Sequence, residues 1–493
     1  PAPDHPNQGT ATMFAQDAHF APLQPVRPPA GAPNVAIILI DDMGFGAPSA
    51  FGGPIQMPTM ERLADEGLRF SRFHTTGLCS PTRQALLTGR NHHSVGMGNI
   101  TEQASNPPGY TSVRPNSAAT VAEVLKLNGY STAAFGKMHQ TLVWEVSQSG
   151  PFDHWPTGEG FEKFYGFLAA ENNQWMPTLI DGTTPIEPPD NPDYHLTPDL
   201  VDHAVAWIQS QQALTPDKPF FVYLSFGATH APHHAPPEWI AKFKGRFDQG
   251  WDKVREETFR RQQAMGIIPK NAKLTPRPAE IPAWDTLTAD QKRLYARMME
   301  VYAAALSHAD HQIGRVVQAV ADLGKLDNTL VIYIQGDNGA SAEGRLNGMF
   351  NENTIFNGVK EEQFVDIVKY MDKLGSLETY NHYPAGWAHA MDTPFQWTKQ
   401  IASHFGGTRN GLVISWPRQI KDKGGIRSQF HHVIDIAPTV FAAAGVEMPA
   451  ILNGVAQKPI EGVSMMYSFD NPKAPSTHRT QYFEMFGNRG IYH

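Results

Sequence analysis

The chain alternates apolar, strand-length runs with helical stretches, and this alternation limits its fold more than any other feature. The first run, Val35–Ile40, is continuously apolar, which is typical of a strand buried on both faces of a sheet. Similar runs follow helical stretches at Ser131–Phe135, Phe220–Phe226, Thr329–Gln335 and in the segment GLVISWP. Because strands that alternate with helices usually pair in parallel, we predict an α/β fold, with a large, mostly parallel central sheet and helices on both faces.

Composition divides the chain into three parts. Residues 1–33 are rich in proline and alanine and predict an N-terminal arm on the surface. Residues 34–420 carry the alternating pattern and predict the α/β domain, and residues 421–493 form a C-terminal part. Two stretches, 232–285 and 341–395, interrupt the alternation. Insertions of this size either build the rim of a site or elaborate the surface, and the sequence favours neither.

Charge and hydropathy exclude some classes of partner. The formal net charge is −8 and no run of lysine or arginine offsets it, which argues against a nucleic-acid surface. No apolar run approaches the ~20 residues that span a bilayer, so we expect no membrane segment and a soluble protein. A single cysteine excludes an internal disulfide and leaves the compartment, cytoplasmic or periplasmic, undecided. The sequence also leaves open whether the chain forms a homo-oligomer.

Four of the predicted strands end in polar side chains. In chain order these are Asp41 and Asp42, Lys137 and His139, His230, and Asp337 and Asn338. Any one acid after a strand is most often a helix cap or a turn former. The carboxyl ends of parallel strands, however, face one common crevice, so we expect all four groups to converge.

The oxygen donors among these residues predict a metal site. They are Asp41, Asp42, Asp337 and Asn338. Three carboxylates and an amide suit a hard cation, Ca²⁺ first and Mg²⁺ or Mn²⁺ next, whereas zinc prefers histidine and cysteine. The alternative is that the two acidic pairs cap two unrelated helices.

Cationic and imidazole side chains accompany the acids. They are Arg83, Lys137, His139, His230 and Lys399. A metal ion together with arginine and lysine can hold a tetrahedral oxyanion such as sulfate or phosphate, and histidines act as acids or bases near neutral pH. The chain has 21 histidines, so we expect most of them to be packed or solvated without a catalytic role.

The only cysteine, Cys79, lies in the segment CSPTR at the predicted start of a helix. Free N–H groups and the helix dipole attract anions there, and Arg83 follows one turn later, so both side chains are expected to face an anion. A thiol in this position would have a depressed pKa and be reactive. Alternatively, Cys79 packs as a small apolar residue.

Taken together, these segments resemble the sulfatase family of the alkaline phosphatase superfamily. The C-x-P-x-R signature matches in full at Cys79, Pro81 and Arg83 and is followed by a T-G-R motif at 88–90. The segment GKMH at 136–139 resembles the second signature, with Met138 where the family commonly has tryptophan, a change expected to alter packing rather than activity. The acidic pair after the first strand and the segment GDNG resemble the two metal-binding segments of the family. The resemblance runs from about Asn34 to the end of the chain.

This resemblance implies an alkaline phosphatase-like fold and a modified cysteine. Relatives commonly end in a small antiparallel C-terminal subdomain, which this chain is expected to shorten or to supply differently. A maturation enzyme would oxidise Cys79 to Cα-formylglycine, whose hydrated form is a gem-diol bound to the metal. Residue 79 would then complete a Ca²⁺ site with the four oxygen donors named above.

The resemblance also implies a role for each cationic and imidazole side chain. Arg83 and Lys137 would stabilise the diol, while Lys399 and His230 would bind sulfate oxygens, with His230 donating a proton to the departing oxygen. One diol oxygen would attack sulfur to form a sulfo-enzyme intermediate. His139 would then deprotonate the second hydroxyl, so that sulfate is expelled and the aldehyde is regenerated.

The implied activity is that of a sulfuric ester hydrolase, most simply an arylsulfatase acting on a small-molecule sulfate ester. The nearest alternative is a phosphonate or phosphate diester hydrolase of the same superfamily, or an enzyme promiscuous for both oxyanions. Relatives of that second type tend to carry histidine where this chain has Asn338, which favours the sulfatase. A non-catalytic anion- or metal-binding protein on this fold would lack one of these residues, and the sequence contains all of them.

Overall fold

The computed structural model describes residues 9–10, 12–20, 26–358 and 364–493. Parts of the predicted arm (1–8, 11 and 21–25) and of the second predicted insertion (359–363) lie outside the described residues. The strands within the described ranges are β1 (Gly9–Thr10), β2 (His19–Phe20), β3 (Asn34–Leu39), β4 (Leu68–His74), β5 (Ser131–Lys137), β6 (Lys163–Phe167), β7 (Leu179–Asp181), β8 (Thr184–Ile186), β9 (Phe220–Ser225), β10 (Thr329–Ile334), β11 (Arg409–Ser415), β12 (Gly425–Arg427), β13 (His431–His432), β14 (Ile451–Leu452), β15 (Val455–Ala456), β16 (Gln481–Met485) and β17 (Asn488–Tyr492).

The α-helices alternate with these strands along much of the chain. Within the same ranges they are α1 (Pro58–Asp65), α2 (Cys79–Thr88), α3 (Val121–Leu127), α4 (Leu196–Leu214), α5 (Pro237–Ala241), α6 (Gly250–Met265), α7 (Ala289–Asp322), α8 (Asn353–Phe356), α9 (Phe364–Lys369), α10 (Ala385–Met391), α11 (Phe405–Thr408) and α12 (Ile436–Ala444). A search of the described helices finds none that is both long enough and apolar enough to cross a membrane.

Eleven of the described strands form one sheet. Its order is β12-β4-β11-β10-β3-β9-β5-β6-β7-β8, with β13 also paired to β4. The five central strands, from β10 to β6, are parallel to one another. β11 runs antiparallel between β10 and β4, and β7 and β8 run antiparallel at the opposite edge. The predicted mostly parallel sheet is confirmed, although the alternation did not predict the reversed direction of β11.

Helices cover both faces of this sheet. Val35, Ile37 and Leu39 of β3 point into a hydrophobic core that they share with α2, α3 and α12. Ile38, between them on the strand, points into the opposite core, which is shared with α1, α4 and α7. Because successive side chains of a strand alternate between its faces, the uninterrupted apolar run is explained by burial on both sides.

The two predicted insertions pack against each other. The first contains α5 and α6 and the second contains α8, α9 and α10. Trp251 of α6 meets Trp387 of α10 edge to face, with 5.8 Å between ring centroids. Both tryptophans are buried, so the insertions add a hydrophobic layer of their own to the fold.

The C-terminal part contributes to the main sheet and adds small antiparallel hairpins. β12 and β13 pair in parallel with β4, and α12 packs in one of the two cores. The strands β14 and β15 form one hairpin, and β16 and β17 form another. These hairpins are the antiparallel elements that the structure describes beyond residue 446.

Candidate active site

The predicted polar side chains meet at the carboxyl ends of four adjacent strands, β10, β3, β9 and β5. The register places Leu39 beside Ile334 on one side and beside Ser225 on the other, so these strands end level with one another. As a result, one carboxylate oxygen each of Asp41, Asp42 and Asp337 lies within 4.8 Å of the other two. The acidic pairs therefore face each other and do not cap unrelated helices.

Two site residues adopt backbone conformations that are unfavourable for side chains other than glycine. Asp42 has a φ of 51° and His139 a φ of 49°, both in the left-handed region. Each follows a strand closely, so the chain turns sharply and directs the side chain across the end of the sheet. Such conformations cost on the order of 1–3 kcal/mol each and persist where the surrounding fold holds them.

The oxygen donors fit a hard cation. Asp41, Asp42, Asp337 and Asn338 are all buried. The Oδ1 atoms of Asp41 and Asn338 are buried without a hydrogen-bond partner in the structure, although buried polar atoms are normally paired. Unpartnered oxygen atoms beside three clustered carboxylates are the donor set that Ca²⁺ or Mg²⁺ prefers. These residues would hold the ion.

Two buried cations neutralise part of the carboxylate cluster. Arg83 donates from Nε and Nη2 to Oδ2 of Asp337, at 3.0 and 2.7 Å, and from Nη1 to the hydroxyl of Ser225 at 2.5 Å. Lys137 Nζ donates to Oδ2 of Asp41 at 2.5 Å. Burial alone would lower the pKa of both side chains, but the facing carboxylates raise the pKa of each above its usual value. Both cations therefore remain charged.

Lys399 connects the acidic cluster to the histidine side of the site. Its ammonium group lies 3.0 Å from Asp42 Oδ2, 2.9 Å from Glu343 Oε2 and 3.2 Å from His230 Nε2. Three partners use all three donors of the ammonium group. Burial disfavours its charge, but Asp42 and Glu343 raise the pKa of Lys399 well above its usual value. The chain thus places a fixed positive charge beside an imidazole.

A cavity of about 930 Å³ opens in front of these groups, and we call it the site cavity. Cys79, His139, His230 and Lys399 all contribute to its lining. Cys79 is the first residue of α2, as predicted, and is 2% exposed. The chain therefore presents its only thiol to the same cavity as two imidazoles and an ammonium group.

Two expectations for the start of α2 are wrong. The pKa of Cys79 is raised rather than depressed, because its burial outweighs the favourable charges of Lys137 and Lys399. Arg83 does not face an anion in the cavity, since its guanidinium is fully buried against Asp337. The thiol as encoded is therefore protonated at neutral pH and a poor nucleophile.

His139 is oriented by an acid that the sequence did not reveal. Its Nε2 lies 2.9 Å from Oε2 of Glu102. Because the carboxylate can only accept a hydrogen bond, Nε2 carries the ring proton and donates. The Nδ1 atom is buried and without a hydrogen-bond partner. Burial lowers the pKa of His139 despite the nearby carboxylate, so the ring is neutral at neutral pH. Its Nδ1 is therefore available to accept a proton.

His230 has the opposite arrangement of its ring nitrogens. Its Nδ1 lies 2.8 Å from the carbonyl oxygen of Ala231, which only accepts hydrogen bonds, so Nδ1 carries a proton. Nε2 then accepts from Lys399 and faces the site. The two histidines thus present different nitrogens to the same cavity.

Sequence reasoning missed Glu102 and Glu343. Glu102 lies in a 3-10 turn 37 residues before its partner His139, and Glu343 lies 56 residues before Lys399 in the second insertion. Neither belongs to a strand end or a recognisable motif, so no signal in the sequence pointed to them.

Both insertions and the C-terminal hairpin reach the site cavity. The first insertion contributes Pro278, Glu280 and Ile281, and the second contributes a larger share, including Glu343 and Glu352. Phe486, in the turn between β16 and β17, lines the mouth. Of the two interpretations of the insertions, this placement favours a rim around the site.

Comparisons with known proteins agree with this geometry. The family model described as Sulfatase matches residues 33–446. An uncharacterised sulfatase of Schizosaccharomyces pombe is 33% identical over 85% of this chain and 76% of its own length. An arylsulfatase of Klebsiella aerogenes is 29% identical over 92% of this chain and 95% of its own length.

A solved structure shows the same fold. The crystal structure of a sulfatase from a Pseudoalteromonas species superimposes with a TM-score of 0.59 over 93% of this chain and 76% of that one, at 19% identity. An identity this low supports a common fold and no more.

The metal site predicts a stabilisation by Ca²⁺ that depends on Asn338. At about a hundred times its Kd, the ion is expected to raise the free energy of unfolding by about 2.7 kcal/mol. The Asn338→Ala variant should lose most of this increment, because it removes an unpartnered ligand oxygen. Thermal unfolding with and without Ca²⁺ measures it.

The matched control is Asp290→Asn, which removes an exposed acid in the first turn of α7. This variant should keep the full increase in the free energy of unfolding that Ca²⁺ produces in the parent protein. An Asn338→Ala protein that Ca²⁺ stabilises as strongly as the parent would contradict the assigned ligand set.

Proposed function

The chain belongs to the sulfatase family and is an enzyme acting on sulfate esters, and from this premise we propose that it is an arylsulfatase whose nucleophile is Cα-formylglycine made from Cys79. The observation that carries the proposal is the position of Cys79. It lies at the start of α2 in a cavity that it shares with His139, His230 and Lys399. The raised pKa of the thiol makes the unmodified cysteine a poor nucleophile, which is consistent with its conversion to another group.

Apolar side chains around the cavity support an aryl leaving group. Leu78, Ile100 and Leu346 line it, and Trp397 and Phe486 lie at its mouth with 41% and 44% of their surface exposed. Exposed aromatic side chains beside a polar site are suited to pack against a ring. The arylsulfatase of Klebsiella, similar over nearly its whole length, supports the same substrate class.

A Ca²⁺ ion would be held by the oxygen donors and residue 79. The protein ligands would be Asp41, Asp42, Asp337 and Asn338. When bound, the ion supplies positive charge that stabilises negative charge on the reacting oxygen atoms. Arg83 and Lys137 keep the carboxylates in place through their buried ion pairs and limit the repulsion between them.

The remaining residues bind the ester and move protons. On substrate binding, the ammonium group of Lys399 exchanges its bond to His230 Nε2 for one to a sulfate oxygen and opposes the charge of the sulfate. His230, with Nδ1–H held by a backbone carbonyl, takes up a second proton from solvent at Nε2 once Lys399 has turned to the sulfate, and delivers that proton to the departing oxygen. His139, with Nε2–H held by Glu102, uses Nδ1 to accept a proton from the hydrated aldehyde. Each imidazole thus has one nitrogen fixed and one available.

A maturation enzyme is a required partner of this chemistry, and it must act before the chain folds. Cys79 is 2% exposed, and Pro81 and Arg83 of the same signature are also buried. A second enzyme has no access to this segment in the folded protein. Conversion of Cys79 therefore belongs to the nascent or unfolded chain.

A comparison of two substrates tests the proposed activity. The converted enzyme should hydrolyse 4-nitrophenyl sulfate with a higher kcat/KM than 4-nitrophenyl phenyl phosphonate, because the site is proposed to favour sulfate esters. The Cys79→Ala variant serves as the control for background hydrolysis. A preference for the phosphonate would replace the proposal with the rival hydrolase of the same superfamily.

Glu102 is proposed as a positioning residue for the base. The Glu102→Gln variant keeps the size of the side chain but removes the charge that favours a protonated His139, so kcat should fall by about 10- to 100-fold with little change in KM. Steady-state kinetics with 4-nitrophenyl sulfate measure both constants.

A matched control for Glu102→Gln is Glu256→Gln, the same substitution at an exposed position of α6. It should leave kcat and KM at the parent values. If Glu102→Gln also retains the parent kcat, the assigned orientation of His139 is wrong.

A further inference from the structure

The site cavity is rich in acids beyond those that the reaction uses. Five glutamates contribute to its lining, namely Glu102, Glu171, Glu280, Glu343 and Glu352. Two of them have a specific partner already, since Glu102 accepts from His139, and Glu343 accepts from Lys399 and Gln400. An excess of carboxylates is unexpected around a site that binds an anionic ester, because like charges repel.

Glu171 and Glu352 form a pair of carboxylates next to His230. One oxygen from each, together with an imidazole nitrogen, lies within 4.8 Å of the others. Within the described ranges, neither carboxylate has a lysine or arginine partner, and the imidazole of His230 lies 3.7 Å from Glu171. The repulsion between two facing acids is relieved either by a proton shared between them or by a cation that replaces this proton.

A second observation points to a missing partner. Glu352 is 6% exposed, and its Oε1 is buried without a hydrogen-bond partner. Burial and the charges of Glu171 and Glu343 raise the pKa of Glu352 well above its usual value, so without a ligand Glu352 favours a protonated form hydrogen-bonded to Glu171, and a bound cation would displace that proton. A buried carboxylate with an unsatisfied oxygen at a cavity wall is costly unless something in the cavity binds it.

The geometry favours an organic cation over a metal ion at this pair. A metal held by Glu171, Glu352 and His230 would need a free imidazole nitrogen. Nδ1 donates to Ala231 and Nε2 faces Lys399 and is used in the reaction, so neither is available to a metal at this pair. An ammonium group needs no imidazole ligand, because its N–H groups donate hydrogen bonds directly to the carboxylate oxygens.

We propose that Glu171 and Glu352 bind a positively charged amino group on the leaving part of the sulfate ester. The inference rests on the proposed arylsulfatase function and narrows its substrate class to sulfate esters of amino-substituted phenols or similar alcohols. Lys399 and His230 hold the sulfate at one end, and the carboxylate pair beside His230 holds the ammonium group at the other. The same pair repels esters with a second negative charge, so it selects by attraction and by repulsion.

Matched substrates test this proposal. The neutral reference is 4-methylphenyl sulfate, the cationic probes are 3- and 4-(aminomethyl)phenyl sulfate, and the anionic probe is 4-carboxyphenyl sulfate. The kcat/KM of each probe is divided by that of the reference for the parent enzyme and for Glu171→Gln and Glu352→Gln. Intrinsic reactivity cancels when these ratios are compared between variants, so a change isolates recognition by the enzyme.

The ratio for at least one cationic probe should fall on the order of tenfold in both variants, and the ratio for the anionic probe should rise. The control Glu256→Gln should leave all ratios at the parent values. Glu171 has a partly exposed side chain, so its variant tests the proposal even if Glu352→Gln folds poorly. Unchanged ratios, or an equal loss for all substrates as expected for a bound metal, would overturn the proposal.

Failure of this proposal is distinguishable from failure of the proposed function. If the converted parent enzyme hydrolyses 4-methylphenyl sulfate but all ratios stay unchanged, only the cation site is wrong. If it hydrolyses none of the aryl sulfates, the arylsulfatase function and the inference built on it are both wrong.

Discussion

The site depends on a set of buried charges that are stable only when they are paired with charges of opposite sign. Three carboxylates from the ends of β3 and β10 face Arg83, Lys137 and Lys399 with almost no exposure to solvent. Removing one member would leave a buried charge without its partner, which typically costs 3–5 kcal/mol. The sheet makes this pairing possible, because its parallel central strands bring the chain segments that carry these residues to one edge in a fixed register. The proposed metal binding, anion binding and proton transfer all depend on this cluster.

Much of the fold and part of the site were readable from the sequence, because they depend on local patterns. The apolar run Val35–Ile40 predicted a strand buried on both faces, and Asp41 and Asp42 followed it to the edge of the sheet. The reversed direction of β11 was not predicted, since an apolar run does not encode the direction of its neighbours. Glu102 and Glu343 were not predicted either, because their partners are distant in the sequence and their positions depend on loops.

The start of α2 shows where local reasoning fails. A helix N-terminus with a nearby arginine usually lowers the pKa of a thiol, but Cys79 is so deeply buried that its pKa rises instead. Arg83 is drawn away from the cavity by Asp337, a residue more than 250 positions later in the chain. Burial and long-range pairing are properties of the whole fold, and here they reverse the expected chemistry of the thiol. Because the raised pKa makes the thiol a poor nucleophile, there is a physical reason for replacing it with another functional group.

The most direct test of this account is the chemical state of residue 79 in active enzyme. Mass spectrometry of the peptide containing Cys79 should be combined with kcat for an aryl sulfate in preparations that differ in the extent of maturation. The account predicts an aldehyde at this position and a kcat that rises in proportion to the aldehyde fraction. A fully active preparation that contains only the unmodified thiol would contradict it.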